Sequence, residues 1–181
     1  MKLLGIAGSL RAGSYNACLI RAAAETAPDG TTVALFERLG EIPLYNDDEK
    51  QKAIPDAVTD LAERIRGADG VLIATPEYNY GVPGVLKNAI DWLSRTPEQP
   101  FKDKPVAVLG AAVGVLGTAR AQYDLRRVLV CLEALIMNRP EVFVGAANQK
   151  FDAAGTLTDD TTREFLGLYM KAVAAWVDKV G

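Results

Sequence analysis

Short, almost wholly apolar runs alternate with segments of helical periodicity along this chain, and that alternation leaves few folds open. Lys2–Ala7 is an apolar run, and Tyr15–Ala27 carries a helical pattern that Pro28-Asp29-Gly30 stops. Thr32–Phe36 reads as a second strand. Pro55–Arg66 reads as an amphipathic helix, with Val58, Leu61, Ala62 and Ile65 on one face and Gly67 placed to end it. Val71–Thr75 is apolar at consecutive positions, as strands covered on both faces are. Pro83–Ser94 follows as a helix with Pro83 in its first turn. Val106–Ala112 and Thr118–Leu132 make the next strand and helix. Leu135–Met137 and Glu141–Val144 form a fifth strand interrupted by Pro140. Thr161–Val180 is the last helix, with Phe165, Leu168, Tyr169, Ala172 and Trp176 in its apolar stripe and Asp159-Asp160 facing its dipole. Five strands alternating with five helices specify an open parallel sheet with helices on both faces. Such sheets bind ligands beyond the carboxyl ends of their strands, where the strand order reverses.

The 181 residues fit one domain spanning 1–181. A net charge of −3 leaves no footprint for nucleic acid. No run of eighteen apolar residues is present, so no membrane span is expected. Met1–Gly8 reads as a strand rather than a signal peptide, which makes the cytoplasm the expected compartment. The chain has no histidine, which excludes His-dependent triads and His-ligated zinc. Cys18 and Cys131 lie far apart in helical segments and read as two buried thiols, with no metal-ligand spacing and no metal expected.

Three strand ends carry unusual residues. After the first strand comes Gly8-Ser9-Leu10-Arg11-Ala12-Gly13-Ser14-Tyr15-Asn16. Backbone N–H groups at a helix start attract anions, Ser9, Ser14 and Asn16 add side-chain donors, and Arg11 adds a bidentate charge. The construction suits a phosphate monoester. Gly8 and Gly13 have P-loop spacing, but Ser14-Tyr15 stands where Lys-Ser/Thr is required, and the dinucleotide pattern G-x-G-x-x-G is absent. After the third strand, Thr75-Pro76-Glu77-Tyr78-Asn79-Tyr80-Gly81-Val82-Pro83-Gly84 makes a stiff loop. Tyr78 and Tyr80 offer ring surface, and Asn79 with free amides suits the polar edge of a heteroaromatic ring. Glu77 reads as a capping or interface carboxylate, with general acid as the alternative. Lys87 and Asp91 read as a surface pair.

These two motifs, Gly8-Ser9-Leu10-Arg11 to Asn16 and Pro76-Glu77-Tyr78-Asn79-Tyr80 to Trp92, strongly resemble the NADPH-dependent FMN reductase family, which includes quinone, chromate and azo-dye reductases. The resemblance extends over essentially the whole chain. It implies a flavodoxin-like three-layer α/β/α sandwich with a five-stranded parallel sheet in the order 2-1-3-4-5. It implies that Ser9, Arg11, Ser14 and Asn16 hold the FMN phosphate, with Tyr15 among the cofactor-binding residues. Pro76, Glu77, Tyr78 and Asn79 then line the isoalloxazine, largely through backbone groups. The loop Ala112, Val113, Gly114 to Gly117 meets the pyrimidine edge. Ala112 and Val113 depart from the serine and proline or methionine common in relatives, which removes a hydroxyl there. Relatives also form dimers or tetramers, and Arg120, Tyr123 and Glu141 fall where they place polar interface groups, with Tyr80 completing a network near the flavin.

The expected activity is transfer of electrons from NADPH or NADH through FMN to a small acceptor such as a quinone, and on the family's evidence chromate or azo compounds, by alternating occupation of one pocket. Flavin chemistry needs no protein nucleophile, so no catalytic side chain is named. Two other readings stay open at this level: a one-electron carrier of the flavodoxin type, and a flavin-free binding or signalling domain on the same fold.

Overall fold

The computed structural model describes residues 1–181. The sheet is built from β1 (Lys2–Ala7), β2 (Thr32–Phe36), β3 (Gly70–Ala74), β4 (Pro105–Ala111), β5 (Leu135–Ile136) and β6 (Val142–Val144). Its order is β2-β1-β3-β4-β5, with β6 also paired to β4, and every pairing is parallel. The expected order 2-1-3-4-5 is what the chain adopts. β5 and β6 pair with opposite ends of β4, at Pro105–Val106 and at Leu109–Ala111. They are thus the two halves of the interrupted fifth strand. Pro140 lies in the break, where a residue without an N–H cannot extend a ladder.

Helices α1 (Tyr15–Glu25) and α6 (Asp160–Val180) pack on one face with a cluster of 23 buried apolar residues. Helices α3 (Asp56–Gly67), α4 (Gly84–Leu93) and α5 (Ala119–Cys131) cover the other with a cluster of 24. The near equality explains the sequence pattern: β3 and β4 are buried at every residue because both faces are covered. α6 brings Tyr169 fully inside, where its hydroxyl donates to the Val108 carbonyl at 2.9 Å and burial pushes the phenol well above its ordinary range. No helix is long and apolar enough to cross a membrane.

Four details depart from the sequence reading. α6 turns Leu166, Tyr169, Met170, Val173 and Val177 to the core, so of the expected stripe only Tyr169 is buried, and Phe165 and Leu168 are exposed. α1 ends at Glu25, because the Thr26 hydroxyl folds back onto the Ala22 carbonyl at 3.0 Å. A four-residue helix, α2 (Asp47–Lys50), forms in a stretch without helical periodicity, and Asn46 caps it. Only Cys18 is a buried thiol; Cys131 is exposed. In α5 the residues Ala121, Leu125 and Leu129 face the core at i, i+4 spacing, and Cys131 falls outside that stripe.

β1 has β2 on one side and β3 on the other, so the loops leaving β1 and β3 diverge to opposite faces and leave a crevice between them.

Candidate functional site

Gly8 sets the closeness of the first two loops. Its N–H donates to the Ala74 carbonyl at 2.8 Å, and a Cβ there would stand 3.0 Å from the Leu86 side chain and 3.2 Å from Pro76. A side chain would force the loops apart. Beyond it, Ser14 caps α1, accepting from the Ala17 N–H. The N–H groups of Leu10, Ala12, Gly13, Tyr15 and Asn16 have no protein acceptor, so the start of α1 presents a row of unspent donors. The Arg11 guanidinium donates to the Gly13 carbonyl and lies 5.0 Å from the centre of the Tyr15 ring. Ser9 Oγ stands 3.3 Å from the Tyr78 hydroxyl and bridges the two loops.

Asn16 differs from the expectation of a phosphate-binding side chain. It is buried, its Nδ2 donates to the Ala111 carbonyl at 3.0 Å, and its Oδ1 accepts from the Ala111 N–H at 2.9 Å. The side chain therefore staples α1 to the end of β4. Only its backbone N–H faces outward chemistry.

In the second loop, Tyr78 and Gly81 exchange backbone hydrogen bonds at 3.2 and 3.0 Å. Asn79 and Tyr80 between them have φ of 50° and 69°, the left-handed pair of a tight two-residue turn. Tyrosine rarely adopts that conformation. Here its ring is covered by Arg120, whose guanidinium carbon lies 3.7 Å from the ring centre. Glu77 holds Arg120 in turn: its carboxylate accepts from the Arg120 Nε at 2.6 Å, the Arg120 N–H at 3.0 Å and the Ala121 N–H at 3.2 Å. Glu77 thus caps α5 from a distant loop. Burial pushes its carboxyl up, but the Arg120 hydrogen bond and the two backbone donors outweigh this and hold it below the usual carboxylate range. The capping reading is the one the geometry takes; a charged, fully engaged carboxylate is no proton donor.

The third loop is more committed than expected. The Ala112 N–H donates to the Val144 carbonyl at 3.0 Å, and its carbonyl accepts from Ala147 at 3.1 Å. Gly117 has φ of 59° and packs so close to β6 that a Cβ would stand 2.9 Å from the Phe143 carbonyl carbon. It is a structural glycine. Ala112 and Val113, the latter 64% exposed, are the residues this loop offers to the crevice.

The three loops enclose a cleft of about 270 Å³. Ten of the thirteen predicted cofactor-binding residues line it; Asn79, Gly114 and Gly117 do not. Of the four predicted interface residues, Tyr80 and Arg120 meet. Tyr123 instead lies 6.3 Å from the Phe143 ring, and Glu141 pairs with Arg139 at 3.1 Å. A larger hollow of about 720 Å³ lies at the amino ends of the strands, but its lysine, Lys104, is spent capping α3 through the Ala68 carbonyl at 2.6 Å.

Asn88 has a role that the sequence does not signal on its own. Its Oδ1 accepts from the Tyr45 N–H at 2.7 Å and its Nδ2 donates to the Pro43 carbonyl at 2.9 Å, which also accepts from Trp92 Nε1 at 2.8 Å. The second half of the motif thus clamps the strap 43–45. The helical i, i+4 spacing of Asn88 and Trp92 signals that both face one partner. Lys87 and Asp91 form the expected pair at 2.7 Å.

The model of a family described as NADPH-dependent FMN reductase matches residues 1–149. The chain is 51% identical to an NAD(P)H-dependent FMN reductase of Pseudomonas aeruginosa, over 99% of this chain and 97% of that protein. It is 43% identical to a quinone reductase of Escherichia coli, again over 99% and 97%. Among solved structures, the flavoenzyme NAD(P)H:(acceptor) oxidoreductase FerB of Paracoccus denitrificans superimposes with a TM-score of 0.90 at 37% identity, over 99% of this chain and 98% of that one.

Proposed function

This chain belongs to the NADPH-dependent FMN reductase family, and from that premise we propose that it is an FMN-dependent NAD(P)H oxidoreductase that reduces quinones. The observation that carries the reading is the row of unspent N–H groups at the start of α1, with Arg11 beside it and the Pro76–Tyr78 wall opposite, around one cleft. That arrangement suits FMN, with phosphate donors at one end and ring surface at the other. The Tyr15 and Asn16 N–H groups and the Arg11 guanidinium, from residues that line the cleft, would take the phosphate. Pro76 and Tyr78 would support the ring, and Val113 lines the third side. When bound, FMN supplies the redox chemistry, accepting hydride from the nicotinamide and passing electrons to the acceptor. The protein binds, orients and keeps one face accessible. Glu77 stays ionised and holds the Tyr78–Gly81 turn to α5, so it is a positioning residue. No side chain of the cleft is assigned as acid or base.

A single cleft makes the two substrates take turns. Initial rates with NADH and a benzoquinone should give parallel lines in double-reciprocal plots, and intersecting lines would contradict this order. Chromate and azo dyes fit the same open face as further acceptors, and turnover with each tests them. The exposed Tyr80, Val115 and Tyr123, 67%, 92% and 55% exposed, support a homodimer or homotetramer in which a second copy covers them. A solution mass of 19.4 kDa, that of one chain, would contradict it. The absence of a spanning helix and of any disulfide agrees with a cytoplasmic protein.

A further inference from the structure

The fifth strand stops after Ile136 and resumes at Val142, and Ala107 and Val108 of β4 lie opposite the gap. Polar side chains from both helical layers converge on it. From α6 the Tyr169 hydroxyl donates to the Val108 carbonyl at 2.9 Å. From α5 two side chains reach across, one to each lip of the break. Arg126 Nη1 donates to the Met137 carbonyl at 2.8 Å, and Gln122 Nε2 donates to the Val142 carbonyl at 2.8 Å. Gln122 and Arg126 stand four residues apart on α5, so they are neighbours on one helix face. Gln122 is fully buried, and its Nε2 also donates to Thr118 Oγ1 at 2.9 Å. Thr118 holds the N-cap position of α5, where the third loop of the cleft ends, and its hydroxyl packs so close to β4 that Gly110 has no room for a Cβ.

Each of these two side chains also carries one buried polar atom that no protein group meets: Gln122 Oε1 and Arg126 Nε. Buried polar atoms are nearly always paired, so two of them on neighbouring side chains of one helix face mark a site. The amide cannot remove its own by turning over, because that would set its oxygen against the Val142 carbonyl oxygen, which its Nε2 now meets. The two atoms are of opposite kind. Oε1 needs a donor, and the Nε–H needs an acceptor. An anion satisfies only the second, and a cation only the first. A neutral molecule that donates and accepts at once satisfies both, and water is the smallest that does. The Met137 carbonyl accepts from Arg126 alone and keeps a lone pair for a further donor. Three partners are what a buried water commonly has, about three hydrogen bonds each. We propose that Gln122 Oε1 and Arg126 Nε hold one buried water molecule between α5 and the break in the fifth strand. It donates to Oε1, accepts from the Nε–H and gives its second hydrogen to the Met137 carbonyl. Through Gln122 and Thr118 it ties the break to the helix start at which the third loop ends. None of these groups lines the flavin cleft, so the site is independent of the flavin reading.

The test uses the full chain as purified. A crystal structure at a resolution that shows ordered water should place a density peak within about 3.2 Å of both Gln122 Oε1 and Arg126 Nε. In solution, a rotating-frame Overhauser spectrum edited on Arg126 Nε should show a cross-peak from its proton to water, with the sign of direct contact with a long-lived water rather than that of chemical exchange. Gln122→Met keeps the length of the side chain and removes the oxygen, and that cross-peak should then be lost. The two wild-type measurements decide the question on their own if this variant does not fold. Four results overturn the proposal. The first is density in which Gln122 Oε1 accepts directly from Arg126 Nε. The second is density with no peak within reach of both atoms. The third is a cross-peak of exchange sign only, and the fourth is a contact cross-peak that survives Gln122→Met unchanged.

Discussion

Replacing Glu77 by alanine probes the contact on which the geometry of the second loop depends. The side chain is 6% exposed and its carboxylate accepts from the Arg120 and Ala121 N–H groups at the start of α5. Loss of a helix-capping acceptor costs about 1 kcal/mol. Leaving a part-buried N–H without an acceptor adds about 1 kcal/mol, the low end of the range because water reaches the exposed Arg120 side. The sum, about 2 kcal/mol, is a ~30-fold change in the unfolding equilibrium. For a chain of this size it corresponds to a fall in Tm of about 6 °C. Urea denaturation followed by circular dichroism measures it, and Glu77→Gln, which keeps shape and one acceptor, should lose about half as much. The carboxyl is held below its unfolded value, so its contribution is present above pH ~4.3 and is lost as pH falls through the folded value. The gap between wild type and Glu77→Ala should therefore hold at neutral pH and shrink only as pH falls below ~4.3. A gap below ~0.5 kcal/mol, or one that does not shrink on acidification, would refute the capping argument.

Asn16→Ala removes both hydrogen bonds to Ala111 and leaves a buried N–H and carbonyl unpaired, so denaturant titration should show a loss of about 3 kcal/mol. Gly117→Ala forces a Cβ to within 2.9 Å of the β6 backbone at positive φ, and thermal melting should fall by the equivalent of at least ~2 kcal/mol. Asn88→Ala frees the strap 43–45 from α4, so limited trypsin digestion should cut at Lys50 or Lys52 several times faster than in wild type, with flavin affinity unchanged. If these bonds are incidental, each variant will match wild type.

Much of the architecture is readable in the sequence because it is local. The uninterrupted apolar runs of β3 and β4 state that both faces of the sheet are covered, and the i, i+4 stripe of α3 states which side it buries; in α6 apolar residues stand on more than one face, so the stripe through Phe165 and Leu168 misses the side that the fold buries. The cleft is legible because Gly8–Asn16 and Thr75–Gly84 follow strands whose positions the alternation fixes. The illegible parts join residues far apart in sequence. Asn16 looks like a phosphate donor until the fold brings Ala111 to it across 95 residues. Glu77 becomes a cap only because the third strand's loop ends against α5, 43 residues on. Cys131 was within reach: continuing the Ala121–Leu125–Leu129 stripe puts it outside the core.

The visible spectrum of the purified protein, followed anaerobically through addition of FMN, then NADH, then a benzoquinone, tests the central claim most directly. The account predicts flavin bands perturbed on binding, bleached by NADH and restored by the quinone. Bands that bleach only with dithionite would contradict the reductase and favour a one-electron carrier, and a protein that does not perturb the FMN spectrum at all would contradict the assignment of the cleft.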